Sequence, residues 1–139
     1  MSALADLDSA LPTDVVLEVP AAASSLRVVR MVAATLVADD GFDIDEVDDV
    51  RMAVDELSAA MIESGPTSPL RVRFRLAQKR LDVQIDTDTS VPAPVDELRA
   101  AVLGAVADDY DTAVIDGRGI ARFAKRSKVL DAGAEPSRA

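Results

Sequence analysis

From Leu70 to Ile85, apolar and charged residues alternate with one break, at Gln78-Lys79. Leu70, Val72, Phe74 and Leu76 interleave with Arg71, Arg73 and Arg75, and Leu81, Val83 and Ile85 interleave with Asp82, Gln84 and Asp86. A period of two over that length is strand, and a two-residue break makes the pair an antiparallel hairpin. That turn sets Arg75 opposite Asp82 and Arg71 opposite Asp86. One face of the hairpin is then apolar and needs a covering layer, and the other presents paired charges to water.

The rest of the chain supplies the layer. Val15, Leu17 and Val19 alternate with Val16 and Glu18 before Pro20, a short strand. Ser24 and Ser25 are candidate N-caps for a helix to about Asp39, with Leu26, Val29, Val32, Ala33 and Leu36 at helical spacing. Asp43 and Glu46 have the capping-box spacing and open a second helix reaching Gly65-Pro66, its core stripe Ile44, Val47, Val54, Leu57 and Met61. Val95, Leu98, Val102 and Val106 mark a third helix ending near Asp109, and Asp116-Gly117 joins a last hairpin, Tyr110–Ile115 with Ile120–Lys125. The order β-α-α-β-β-α-β-β predicts an α+β fold, a two-layer sandwich of a mostly antiparallel sheet with helices on one face. Residues 1–13 and 129–139 read as tails around a single domain at 14–128.

Composition removes several functions. The chain has 139 residues, of which 49% are hydrophobic, enough for one core. Cysteine and histidine are absent, so no thiolate nucleophile, imidazole base, phosphohistidine or Cys/His zinc site is available. A net charge of -10 and only four aromatic residues argue against a nucleic-acid surface and favour a basic protein partner. No apolar run approaches a membrane span and no signal peptide is evident, so the expected location is cytoplasmic. The acids from Asp39 to Asp49 lack the calcium-loop spacing and suit the N-terminus of the second helix.

The stretch Asp48-Asp49-Val50-Arg51-Met52-Ala53-Val54-Asp55-Glu56-Leu57, with two helices before the central hairpin, resembles the histidine-kinase-like ATPase fold and its small members, the anti-sigma regulatory factors. Ala107-Asp108-Asp109-Tyr110 resembles the end of that family's third helix. The likeness runs over residues 15 to 128. It implies an ATP site built on a Glu and, four residues on, a magnesium-binding Asn. Glu56 matches the Glu, but Ala60 stands at the Asn position and offers a hard cation no oxygen. Where the family has Asp-x-Gly-x-Gly, this chain has Asp86-Thr87-Asp88-Thr89-Ser90. Asp86 matches the adenine-binding Asp, and strand parity turns it away from the core. The phosphate-cradling glycines fall near Glu97 and Arg99, where side chains crowd the nucleotide.

These departures predict a degenerate kinase, with Glu56 a remnant catalytic residue, no metal site and no ATP or magnesium cofactor. The first helix offers Val28 and Met31 beside Arg27 and Arg30 on a second face, and in the resembling family this helix meets partners. The expectation is therefore an anti-sigma-type regulator that binds a sigma factor, an anti-anti-sigma (STAS-type) antagonist, or both, as a homodimer. The alternative is an active serine/threonine kinase of that family using Glu56. A third reading is an unrelated α+β interaction domain, which a first strand outside the sheet would favour.

Overall fold

The computed structural model describes residues 10–129; residues 1–9 and 130–139, the greater part of the two expected tails, lie outside the described residues. Five strands and three helices follow in order: β1 (Val15–Val19), α1 (Leu26–Asp39), α2 (Ile44–Glu63), β2 (Leu70–Ala77), β3 (Arg80–Asp88), α3 (Glu97–Val106), β4 (Asp109–Ile115) and β5 (Arg118–Arg126). The sheet runs β1-β2-β3-β5-β4 with every neighbouring pair antiparallel. This is the α+β sandwich expected, and β1 joins the sheet beside β2 rather than standing outside it.

The hairpin register is as the alternation requires, with Arg75 opposite Asp82 and Arg71 opposite Asp86. Its turn takes both residues into the left-handed region, Gln78 at φ 54° and Lys79 at φ 60°. That conformation matches the twist of the strands, although neither residue is glycine. At the second hairpin Asp116 (φ 52°) and Gly117 (φ 77°) do the same.

The helices cover one face. Val29, Ala33 and Val37 of α1 and Val50, Val54, Leu57 and Met61 of α2 are buried against Val72, Phe74, Val83, Ile85 and Phe123 of the sheet. The Asp43–Glu46 capping box forms as read: Glu46 N–H donates to Asp43 at 2.8 Å and Asp43 N–H to Glu46 at 2.9 Å.

Several expectations need correction. Ile44 is 80% exposed and Leu98 75% exposed, so neither belongs to the core. Both sit at the first or second position of their helices, where the chain has not yet met the sheet. The buried residues of α3 are Leu103 and Val106. A single turn of 3-10 helix at Ala23–Ser25 leads into α1, and neither Ser24 nor Ser25 caps it by side chain. Residues 11–13, expected in the tail, form a turn: Asp14 N–H donates to the Leu11 carbonyl at 3.0 Å and Leu11 N–H to the Asp14 carboxylate at 2.8 Å.

The largest departure is the far face of the sheet. It was expected to be wet, yet Arg73, Gln84, Asp86 and Arg122 are all buried. A long arginine stem can cover neighbouring surface while its head pairs with a carboxylate, and Arg75 and Arg122 on this face both pair in that way. Arg75 grips Asp14 through two hydrogen bonds of 2.9 Å rather than its cross-strand neighbour Asp82, which goes to Arg80 at 3.0 Å. Arg118 bridges Asp86 and Asp88, and Arg122 bridges Asp109 and Asp111. The Asp14 carboxyl is held below the usual range by the Arg75 hydrogen bonds, against the opposing effect of burial.

Candidate functional site

The family-like residues Glu56 and Ala60 lie one turn apart on α2, the helix at the centre of the layer. Ala60 is fully buried and contributes a methyl group where the resemblance asks for an oxygen ligand. Glu56 is half-buried and engaged. Arg99, in the first turn of α3, donates from Nε to Glu56 Oε1 at 3.0 Å. It also donates to Glu63 one helix stretch further on, at 3.0 Å, and to the Pro94 carbonyl at 2.7 Å.

Why Arg99 reaches that place follows from local structure. Asp96 caps α3 by accepting from the Arg99 N–H at 2.8 Å, which fixes the start of the helix. One turn in, the arginine side chain points across the seam onto α2. Its side chain keeps only 15% exposure, and its guanidinium is held above the usual arginine range by the Glu63 hydrogen bond and, after the opposing effect of burial, the Glu56 one. An arginine bonded to two carboxylates and a carbonyl crosslinks α2 to α3 along the groove. Reading the sequence flagged Arg99 only as a residue where glycine was expected; its carboxylate partners lie 43 and 36 positions away and leave no local signal.

Asp86 is not part of this groove. It lies on the opposite face of the sheet from the helices, paired with Arg118. The connection after β3 is fastened down. Thr87 Oγ1 donates to the carbonyls of Ser68 at 3.0 Å and Pro69 at 3.1 Å, and Thr89 N–H donates to Gly117 at 3.1 Å. Thr89 also packs over Gly119, where a Cβ would come within 2.4 Å of the threonine methyl. A shallow cavity of about 260 Å³ opens beside this loop, lined by Gly65, Thr67, Asp88, Thr89, Ser90, Val91 and Gly117.

The candidate partner face is arranged differently. On α1, Met31 is 62% and Val28 46% exposed, and Met52 on α2 is 42% exposed. Arg30 is half-buried and donates to Asp55 of α2 at 2.7 Å, tying the two helices. Arg27 is exposed, and together with Ser24, Leu26 and Arg30 it borders a concavity of about 470 Å³. The structure thus brings Arg27, Val28, Arg30 and Met31 onto one outer surface. Among the described residues no group of acidic side chains is placed to hold a metal ion, and no helix is long and apolar enough to cross a membrane.

No family model matches the chain, and no curated protein matches it. Among solved structures, the crystal structure of the RsbU and RsbW domains of Rv1364c from Mycobacterium tuberculosis is similar, with a TM-score of 0.68 and 18% sequence identity. The alignment covers 85% of this chain and 33% of that one, so the present chain spans about a third of its length. The likeness shows the fold. What the two have in common is the arrangement of a helical layer over an antiparallel sheet.

Proposed function

We propose that this chain is an anti-sigma-type regulator that binds a sigma factor, an anti-anti-sigma antagonist, or both, by protein contact, with nucleotide binding largely lost. The observation that carries this reading is the Arg99–Glu56 contact beside buried Ala60. A nucleotide in the family manner needs an oxygen on α2 for magnesium and open backbone N–H groups at the start of α3. Here the first is a methyl group and the second is the root of an arginine already spent on Glu56 and Glu63. The residues present do not fit a metal–triphosphate. What remains exposed is a helical surface with two methionines and a valine, a composition suited to protein recognition. The RsbW domain of the structural neighbour agrees with a place in sigma-factor control.

Calorimetric titration with each sigma factor and STAS-type protein of the host tests this. One of them should bind, and Met31→Ser together with Arg27→Glu should weaken it by about tenfold or more, the loss of an apolar anchor and a charge at an interface. Unchanged affinity in the double variant would move the contact elsewhere; no binding by any of them would end the reading.

A further inference from the structure

Three polar side chains form a row across the far face of the sheet, Arg73 opposite Gln84 and Gln84 opposite Arg122. Within one copy they are only 3%, 2% and 4% exposed. No side chain on this face is longer than arginine, so neighbours of equal or lesser length leave an arginine head open to water. Among the described residues the helices pack on the other face, and no helix or strand crosses this one. The burial is a narrow band over the middle strands. At the margins Val16 of β1 is 43% exposed, and the Asp109 and Asp111 side chains of β4 are 51% and 54% exposed. Gln84 Oε1 and Arg122 Nε are buried with no hydrogen-bond partner among the described residues. An acceptor and a donor so placed call for a stretch of backbone, which brings an N–H and a C=O with each residue.

We infer that residues 1–9 of this chain dock across the middle strands of the far face, with Asp6 and Asp8 over its arginines. The chain reaches β1 on that side: the Asp14 carboxylate bonds Arg75 at 2.9 Å and accepts from the Leu11 N–H at 2.8 Å. The opposite end leaves on the helix side, where the Ser127 hydroxyl and the Lys128 N–H bond Glu46 of α2. Length suffices, because nine extended residues reach roughly 30 Å and three neighbouring strands span about 10 Å. Charge agrees as well. Asp6 and Asp8 flank Leu7, so an extended segment turns both carboxylates the same way. Arg73 has the most to gain from them, since burial, and then the neighbouring Arg71, hold its guanidinium below the ordinary arginine range. The inference stands apart from the identity of the regulatory partner, which is assigned to the helices on the other side of the sheet.

The chain has no cysteine, so one introduced thiol reports the cover at one place. Gln84→Cys and Ala124→Cys put it in the buried band, and Met31→Cys puts it on the exposed helical face. Each is made in the full chain and followed with an aromatic disulfide reagent at two dilutions. The band thiols should react slowly and the Met31→Cys thiol fast. Adding Asp6→Lys with Asp8→Lys should speed the band thiols by about tenfold or more and leave the Met31→Cys rate unchanged, because access then limits only the band. Adding Asp131→Lys with Glu135→Lys should alter neither. Two band positions keep the outcome readable if one substitution disturbs the fold. Band thiols as fast as Met31→Cys in the otherwise unaltered chain, indifference to the Asp6 and Asp8 swap, or acceleration by the Asp131 and Glu135 swap would each overturn the inference. So would protection that vanishes on dilution, the mark of a second copy as the cover.

Discussion

Replacing Glu46 by alanine should lower stability by about 3 kcal/mol, because it strips a buried carboxylate from four groups arranged around it. Glu46 is 6% exposed. It accepts from the Asp43 N–H at 2.9 Å, the Ser127 hydroxyl at 2.8 Å and the Lys128 N–H at 2.7 Å, with Lys125 adding favourable charge. It thereby ties the start of α2 to the chain leaving β5, two segments 82 positions apart. Burial pushes its carboxyl upward, yet the backbone hydrogen bonds from Lys128 and Asp43 and the Ser127 hydroxyl outweigh that and hold it below the ordinary value.

The direction fixes the pH dependence. A carboxyl whose folded pKa is depressed adds stability above its unfolded pKa, about 4.3 for glutamate. That contribution fades as pH falls through the lower folded pKa. Asp14, depressed beside Arg75, acts in the same direction. Urea unfolding should therefore show the parent losing stability below about pH 5, with Glu46→Gln less sensitive over that window and the gap between them narrowing as the pH drops. A gap that stayed constant with pH would show that the Glu46 charge is not what the surrounding donors recognise.

Phe123→Ala should cost about 3–5 kcal/mol, a large share of a typical domain's 5–15 kcal/mol. Phe123 is fully buried on β5, across from Val83 on one side and Tyr110 on the other, beneath α2. Ile44→Ala is the companion measurement. The periodicity of α2 places Ile44 on the core stripe, whereas its 80% exposure predicts a change within about 0.5 kcal/mol. A loss at Ile44 as large as that at Phe123 would contradict the packing described here.

Ile44 also shows what a sequence reveals and what it withholds. Local period and cap chemistry made the Leu70–Ile85 hairpin, its register and the Asp43–Glu46 box legible, because each is decided by residues a few positions apart. The same reasoning misplaced Ile44 and Leu98, since a helical stripe does not say where along its length the helix meets the sheet. It treated the alternate face of β2 and β3 as water-facing, because strand parity names a side and not what shelters it. Arg75 chose Asp14 over Asp82, and Asp86 chose Arg118, pairings that need the strand order β1-β2-β3-β5 before they can be foreseen.

The candidate site divides along the same line. Ala60 in place of an oxygen donor was readable through the family resemblance, which expects a ligand four residues after Glu56. That Arg99 would lie across the groove and bond Glu56 was not, since it depends on how α3 docks on α2. Val28 and Met31 were correctly placed on an outward face, but the tie from Arg30 to Asp55 joins two helices and gave no periodic sign.

The central claim is that Arg99 and Ala60 leave the α2–α3 groove without the means to hold a metal–triphosphate. Isothermal calorimetry of the full chain with Mg-ATP tests it most directly. The account predicts no saturable heat, and none after Ala60→Asn alone, because Arg99 still engages Glu56 and Glu63. Saturable one-to-one binding of Mg-ATP by the parent chain would contradict it.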